Sequence, residues 1–211
     1  MTLPKAVAFV HWMIAQNVRP GDTVIDATCG NGGDTVFLAE AVSPSGHVHA
    51  FDIQQEAIQA TYDRLQKKSL EQYITLHHCS HEYAVSVLTE AERTNVRAAV
   101  FNLGYLPGSD KQIVTSASST TAAVLSYLHT FPPGAPVIVV IYHGHPGGYA
   151  ERTAVESLAA ELSEQEVRVL RYSLEFQEKA PPYVLTFEKT GEDTPGLSKL
   201  VQAYSHISTK G

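Results

Sequence analysis

Apolar and β-branched residues gather in short runs separated by stretches with helical spacing. The runs fall at Thr23 to Thr28, His47 to Ile53, Ile74 to Cys79, Ala98 to Leu103 and Val137 to Tyr142, and their length and residue types predict five strands. Asp34 to Val42, Gln55 to Lys68, His81 to Glu92, Thr115 to Thr130 and Tyr149 to Ser163 repeat apolar residues three and four apart, which predicts helices. Parallel neighbours need crossovers, so this alternation calls for a parallel sheet covered on both faces. The pattern then changes. Val167 to Phe176 and Tyr183 to Lys189 read as strands with only Ala180-Pro181-Pro182 interrupting, and without a helix between them they must pair antiparallel. An amphipathic segment, Pro4 to Ala15, precedes the first strand. A polar stretch, Gly191 to Gly211, carries a short helix near Leu197 to Tyr204 and is expected to fray.

The predicted architecture is an α/β, Rossmann-like domain with a seven-stranded, mostly parallel sheet, a C-terminal antiparallel strand pair and helices on both faces. It spans residues 1–211 as one unit, with an N-terminal helical segment over 1–19 and a polar tail over 190–211. Composition agrees: 44% apolar and 18% charged residues in 211 exclude disordered, collagen-like and coiled-coil chains. The longest apolar run, Ala135 to Tyr142, is strand-sized, so no membrane span is expected. The first dozen residues lack a basic segment leading into an apolar stretch, and the two cysteines, Cys29 and Cys79, suit free thiols. A cytoplasmic location is the expectation. A net charge of −7, from 22 acidic and 15 basic residues, argues against coating nucleic acid non-specifically, because Lys and Arg supply most of that affinity. A local basic patch stays open.

Ligands of such folds gather at the carboxyl ends of the strands. The first strand ends in Asp26-Ala27-Thr28-Cys29-Gly30-Asn31-Gly32-Gly33-Asp34-Thr35, where small residues admit a ligand close to the backbone and a helix start offers free N–H groups. A dinucleotide fingerprint requires a third glycine where Thr35 stands, and a Walker A loop requires a lysine that is missing. Asp26 and Asp34 flank the loop with negative charge, which suits a cationic ligand group. The second strand ends in Phe51-Asp52-Ile53, placing a carboxylate about 20 residues after the glycines, where nucleotide-binding folds hold a ribose diol.

These features resemble the class I S-adenosylmethionine-dependent methyltransferases. The resemblance implies S-adenosylmethionine as cofactor, with Asp26, Thr28, Gly30, Asn31 and Gly32 around the methionine moiety and Asp34 and Thr35 beside them. It places Asp52 and Ile53 at the ribose, Ser80 and His81 at the adenine edge, and Asn102, at the end of the fourth strand, beside the cofactor as well. The fourth strand ends in Asn102-Leu103-Gly104-Tyr105-Leu106-Pro107-Gly108-Ser109-Asp110-Lys111. Asn102 and Tyr105 have the spacing of the Asn-Pro-Pro-Tyr motif of methyltransferases acting on exocyclic amines, with Leu103-Gly104 in place of the prolines. An amide oxygen and a backbone carbonyl can accept both N–H bonds of an amine and aim its lone pair.

Several segments together resemble the narrower YtqB/MnmM family: Asp26 to Thr35, Ser80-His81, Asn102 to Lys111, Tyr142-His143-Gly144-His145-Pro146-Gly147-Gly148 with Glu151, and Pro181-Pro182-Tyr183 before Phe187-Glu188-Lys189. Its members, first described as rRNA methylases, convert 5-aminomethyl-uridine at the tRNA wobble position, often 2-thiolated, to 5-methylaminomethyl-uridine. The resemblance implies Asn102, Leu103 and Tyr105 at the reacting amine and the anticodon stem-loop of tRNA as substrate. Asp110, His145 or solvent could accept the proton of the amine, a choice the sequence leaves open, and a symmetric dimer would suit a compact enzyme facing a large RNA. Ser109 where a second glycine is usual, Ala150 before Glu151 and Lys179 in place of Asn depart from the pattern. Lys111, Arg152 and Lys179 are the expected phosphate contacts. His143 and His145, with His77, His78 and His81, lack CxxC or HExxH partners, and no metal is expected. The rival readings are a methyltransferase of the same fold acting on rRNA, a small-molecule amine or a protein, and a non-catalytic nucleotide-binding module.

Overall fold

The computed structural model describes residues 2–104, 116–142, 148–175 and 181–208. Seven strands form one sheet: β1 (Thr23–Asp26), β2 (His47–Asp52), β3 (Ile74–His78), β4 (Val96–Asn102), β5 (Val137–Ile141), β6 (Val167–Tyr172) and β7 (Tyr183–Lys189). Their order is β3-β2-β1-β4-β5-β7-β6. The first five run parallel, β7 pairs antiparallel with β5, and β6 pairs antiparallel with β7. Both expectations about strand direction are met.

The sheet is buried on both sides, and one strand shows how. Along β5, Val137, Val139 and Ile141 enter one apolar cluster while Ile138 and Val140 enter the other, as the two-residue period of a strand requires. One face carries α1 (Ala6–Asn17), α2 (Gly33–Val42) and α3 (Gln55–Gln66), which supply Ile14, Leu38 and Leu65 to the core. The other carries α4 (Ala84–Val87), α5 (Glu90–Asn95), α6 (Ala117–Thr130), α7 (Gly148–Glu161) and α8 (Pro195–Ser208), with Leu88, Tyr127, Leu158 and Leu197 inside. Among the described residues no helix is long and apolar enough to cross a membrane.

Two expectations are corrected. The helix foreseen over His81 to Glu92 is broken into a 3-10 turn, α4 and α5, because Leu88 is extended and Thr89 opens a new helix with a capping box closed by Glu92. Over its described residues, the stretch from Gly191 does not simply fray: it carries α8, which contains the helix expected near Leu197 to Tyr204. Leu197 is buried, and the Glu166 carboxylate accepts the N–H groups of Gly196 at 2.9 Å and Leu197 at 2.7 Å, capping α8 from a distant part of the chain. A Cβ at Gly196 would lie 3.0 Å from that carboxylate.

Two of the histidines, His49 and His77, have structural work on the β2–β3 face. His49 shares hydrogen bonds with His77 and Glu92, both at 3.1 Å, and His77 stacks on Phe51. Burial pushes the His49 pKa down to about 4, so the ring sits neutral in the fold.

Removing the α8 cap is measurable. Glu166→Ala should cost about 1 to 2 kcal/mol, the usual effect of losing a helix N-terminal cap. The melting temperature should fall by roughly 2 to 8 °C, and Glu166→Gln, which keeps one acceptor, should lose less. Equal stability of all three proteins in thermal unfolding would show that α8 is held by its apolar face alone.

Candidate active site

β1 lies between β2 and β4, so the chain leaving it enters the crevice where successive crossovers diverge, the usual ligand position of open α/β sheets. Backbone bonds fix this exit: Ala27 N–H to the Val100 carbonyl at 2.8 Å and Cys29 N–H to the Phe51 carbonyl at 2.9 Å. The loop then turns through Gly30 (φ 52°) and Gly32 (φ 75°), left-handed conformations that disfavour any residue with a Cβ. At Gly32 a Cβ would lie 2.9 Å from the Thr61 Cα, and the Thr61 hydroxyl donates to the Gly30 carbonyl at 3.0 Å. The glycines thus let the loop lie flat on α3. α2 starts at Gly33 with no side-chain cap at Gly32, which leaves N–H groups of its first turn without helical partners.

A cavity of about 640 Å³ opens over this loop, within the range of small-molecule sites. Of the residues expected at the cofactor, Thr28, Gly30, Asn31, Asp34, Asp52, Ile53, Ser80, His81 and Asn102 line it. Asp26, Gly32 and Thr35 lie buried behind the lining. Asp52 accepts the N–H groups of Gly30 at 3.0 Å and Gln54 at 2.9 Å, and burial raises its pKa above the usual carboxylate value. Four lone-pair sites minus two bonds leaves acceptor capacity on the cavity side, as a ribose diol requires. Ser80 turns back on Glu82, bonding its backbone and its carboxylate. His81 is drawn inward: it bonds the Ala27 carbonyl at 3.2 Å, meets Phe101 edge-on, and is kept neutral chiefly by burial. Its Nε2 has no hydrogen-bond partner among the described residues.

The opposite wall is formed by the end of β4. The Asn102 N–H donates to the Thr28 hydroxyl at 2.7 Å, and its Nδ2 donates to Asp34 Oδ2 at 2.9 Å. A carboxylate accepts but does not donate, so this contact decides which end of the carboxamide is nitrogen. Asn102 Oδ1 has no partner among the described residues. Leu103 is fully buried and lines the cavity. The expected contributions of Tyr105, Asp110, Lys111, His143, His145 and Lys179 lie outside the described residues. Arg152, expected to meet phosphate, is paired with Glu156 at 3.1 Å.

Some residues of the site had no counterpart in the motif reading. Val7, Gln54, Arg64 and Glu82 line the cavity, and His11 on α1 bonds Asp34 Oδ1 through Nε2 at 2.7 Å. His11 had a signal: it is the only titratable residue in the α1 sequence AVAFVHWMIAQN.

The profile of a family described as "Putative rRNA methylase" matches residues 48–188. The tRNA (mnm(5)s(2)U34)-methyltransferase of Arabidopsis thaliana, a chloroplastic protein, is 34% identical over 193 residues, covering 88% of this chain and 70% of its own. A crystal structure from Clostridium thermocellum, described as a "putative rRNA-methylase", superimposes with a TM-score of 0.85 at 34% identity, covering 90% of this chain and 100% of that one. A Streptococcus mutans protein described as "a putative methyltransferase", solved in complex with SAH, gives a TM-score of 0.79 at 30% identity over 89% of this chain and 99% of its own. The chain belongs to the rRNA methylase family.

The buried carboxylate behind the loop yields a pH prediction. Asp26 accepts the Thr35 hydroxyl at 2.6 Å and the Thr28 N–H at 3.2 Å, yet burial, reinforced by Asp34, pushes its pKa from 3.8 up to about 7. The folded state therefore holds this proton more tightly than the unfolded chain. Its stabilising effect is full below the unfolded value and is lost as pH rises through the folded one. Relative to Asp26→Asn, the parent should lose about 1.4 kcal/mol per pH unit between roughly pH 4 and 7. Denaturant unfolding of both proteins across that range checks it, and a constant difference above pH 5 would show that Asp26 titrates as an ordinary carboxylate.

Proposed function

We propose that this member of the rRNA methylase family is a tRNA-modifying N-methyltransferase that methylates the primary amine of 5-aminomethyl-uridine, with or without a 2-thio group, at the wobble position. The observation that carries the reading is Asn102, tied by its backbone to Thr28 and by its Nδ2 to Asp34, with the carboxamide oxygen unpartnered among the described residues. An oxygen in that position can accept an N–H of an amine and turn the lone pair toward the cofactor loop. Support for the RNA substrate is the Arabidopsis relative named for the wobble nucleoside. The family description favours rRNA as a second reading, and the same Asn102 geometry would serve it.

The cavity fits S-adenosylmethionine, whose methylated sulfur supplies an electrophilic methyl group when bound. Gly30 and Gly32 keep Cβ atoms away at the two left-handed turns of the loop, Asp52 presents a half-buried carboxylate for ribose hydroxyls, and Asp34 adds negative charge near the position expected for the sulfonium. With donor and acceptor both fixed by protein groups, the rate gain comes mainly from orientation. The amine must be neutral to react, so its proton has to leave first. We place the reaction in the cytoplasm, and assign phosphate contacts to Lys111 and Lys179.

Two sets of variants test the assignment. Asp52→Asn should weaken S-adenosylmethionine binding by about 1 to 3 kcal/mol in calorimetry, through loss of a charged acceptor, while the protein stays folded. Asn102→Ala should leave cofactor affinity nearly unchanged and slow single-turnover methylation of tRNA bearing 5-aminomethyl-uridine on the order of a hundredfold. Asn102→Asp keeps an acceptor but favours the protonated amine, so it should be slow at neutral pH and recover as pH rises. An alanine variant as fast as the parent would mean that other groups hold the amine.

A further inference from the structure

His11 lies outside every motif of the cofactor and substrate loops, and outside the residues matched by the family profile. It nevertheless belongs to the same hydrogen-bonded chain as Asn102. Its Nε2 lies 2.7 Å from Asp34 Oδ1, and Asp34 Oδ2 lies 2.9 Å from Asn102 Nδ2. One carboxylate thus has both oxygens engaged, one by the N-terminal helix and one by the end of β4. The imidazole is itself held: its ring stacks on Phe37 with centroids 3.9 Å apart and planes 5° from parallel. The histidine and aspartate side chains are only 31% and 16% exposed, so water competes weakly for the contact.

The constraint matters because a carboxylate is soft about its last torsion, whose energy is broad and nearly two-fold. Held by Asn102 alone, Asp34 could swing and take the carboxamide with it. Held also by an imidazole locked against Phe37, its plane is set, and so is that of the carboxamide. Misplacing a reacting group by about 1 Å can cost on the order of a hundredfold in rate. We propose that His11 is a positioning residue for methyl transfer, acting through Asp34 to fix the orientation of the Asn102 carboxamide. The inference rests on the amine-binding role given to Asn102 above. It extends the site to α1, which the sequence motifs leave out.

Three substitutions separate hydrogen bonding from packing. His11→Phe keeps an aromatic ring on Phe37 and removes the donor, His11→Gln restores an N–H donor without the ring, and His11→Ala removes both. The positioning role predicts that single-turnover methylation at saturating tRNA and cofactor falls roughly 10- to 100-fold in the Phe and Ala variants. The Gln variant should regain most of the rate, and the dissociation constants for S-adenosylmethionine and tRNA should change less than about threefold. A purely structural role predicts the reverse order, with Phe close to the parent and Gln as slow as Ala, and that result would overturn the inference.

A second readout needs no substrate. The side-chain Nδ2 resonance of Asn102 in nitrogen-15-labelled protein, identified by its loss in Asn102→Asp, should move in His11→Phe and return toward the parent position in His11→Gln. An unmoved resonance would overturn the inference even if the rate fell. A parent protein that methylates no tRNA, while the resonance responds as expected, would count against the functional reading and leave the Asn102 contact chain supported.

Discussion

The double attachment of Asn102 to the glycine loop is the constraint on which the rest of the site depends. Its main-chain N–H reaches Thr28 and its side-chain nitrogen reaches Asp34, so the group proposed to receive the amine cannot move independently of the loop proposed to hold the cofactor. Two loops from different strands usually vary in spacing as each relaxes. Here the distance between the two halves of the reaction is set by hydrogen bonds of 2.7 and 2.9 Å, and a reaction that needs alignment more than covalent chemistry gains most from that constraint.

The sheet supplies the rest of the rigidity. β1 lies between β2 and β4, and backbone bonds from Ala27 and Cys29 extend the pairing past the strand into the loop. Underneath, Asp26 joins Thr28 to Thr35 in a site from which water is excluded. Burying a carboxyl group there carries a stability cost at neutral pH, because solvent no longer favours its charge. The fold keeps that cost at the position where the loop must be held most firmly, as strained or shifted groups often cluster at functional sites.

Much of this was legible in the sequence because it rests on periodicity and on short chemical motifs. The strands of the buried parallel sheet are continuous apolar runs, and the antiparallel pair was forced by the lack of any helix between Val167 and Lys189. Asp52 could be placed by its distance from the glycines. Three features were not legible, for a common reason. The His11 contact joins residues 23 positions apart, the Glu166 cap joins residues about 30 apart, and the break at Leu88 and Thr89 arises where a capping box outweighs a continuous helical pattern. The first two are side-chain bonds across the fold, which no local pattern encodes, and the third is a local signal overridden in reading by the longer one.

Nucleoside mass spectrometry tests the central claim most directly. The purified protein is incubated with S-adenosylmethionine and tRNA carrying 5-aminomethyl-uridine at the wobble position, and the digested nucleosides are compared with those from a reaction lacking enzyme. The account predicts conversion of that nucleoside, and no other, to its 5-methylaminomethyl form, with one S-adenosylhomocysteine released per methyl group transferred. Methyl incorporation elsewhere in the tRNA, or into rRNA while the wobble nucleoside stays unchanged, would contradict it.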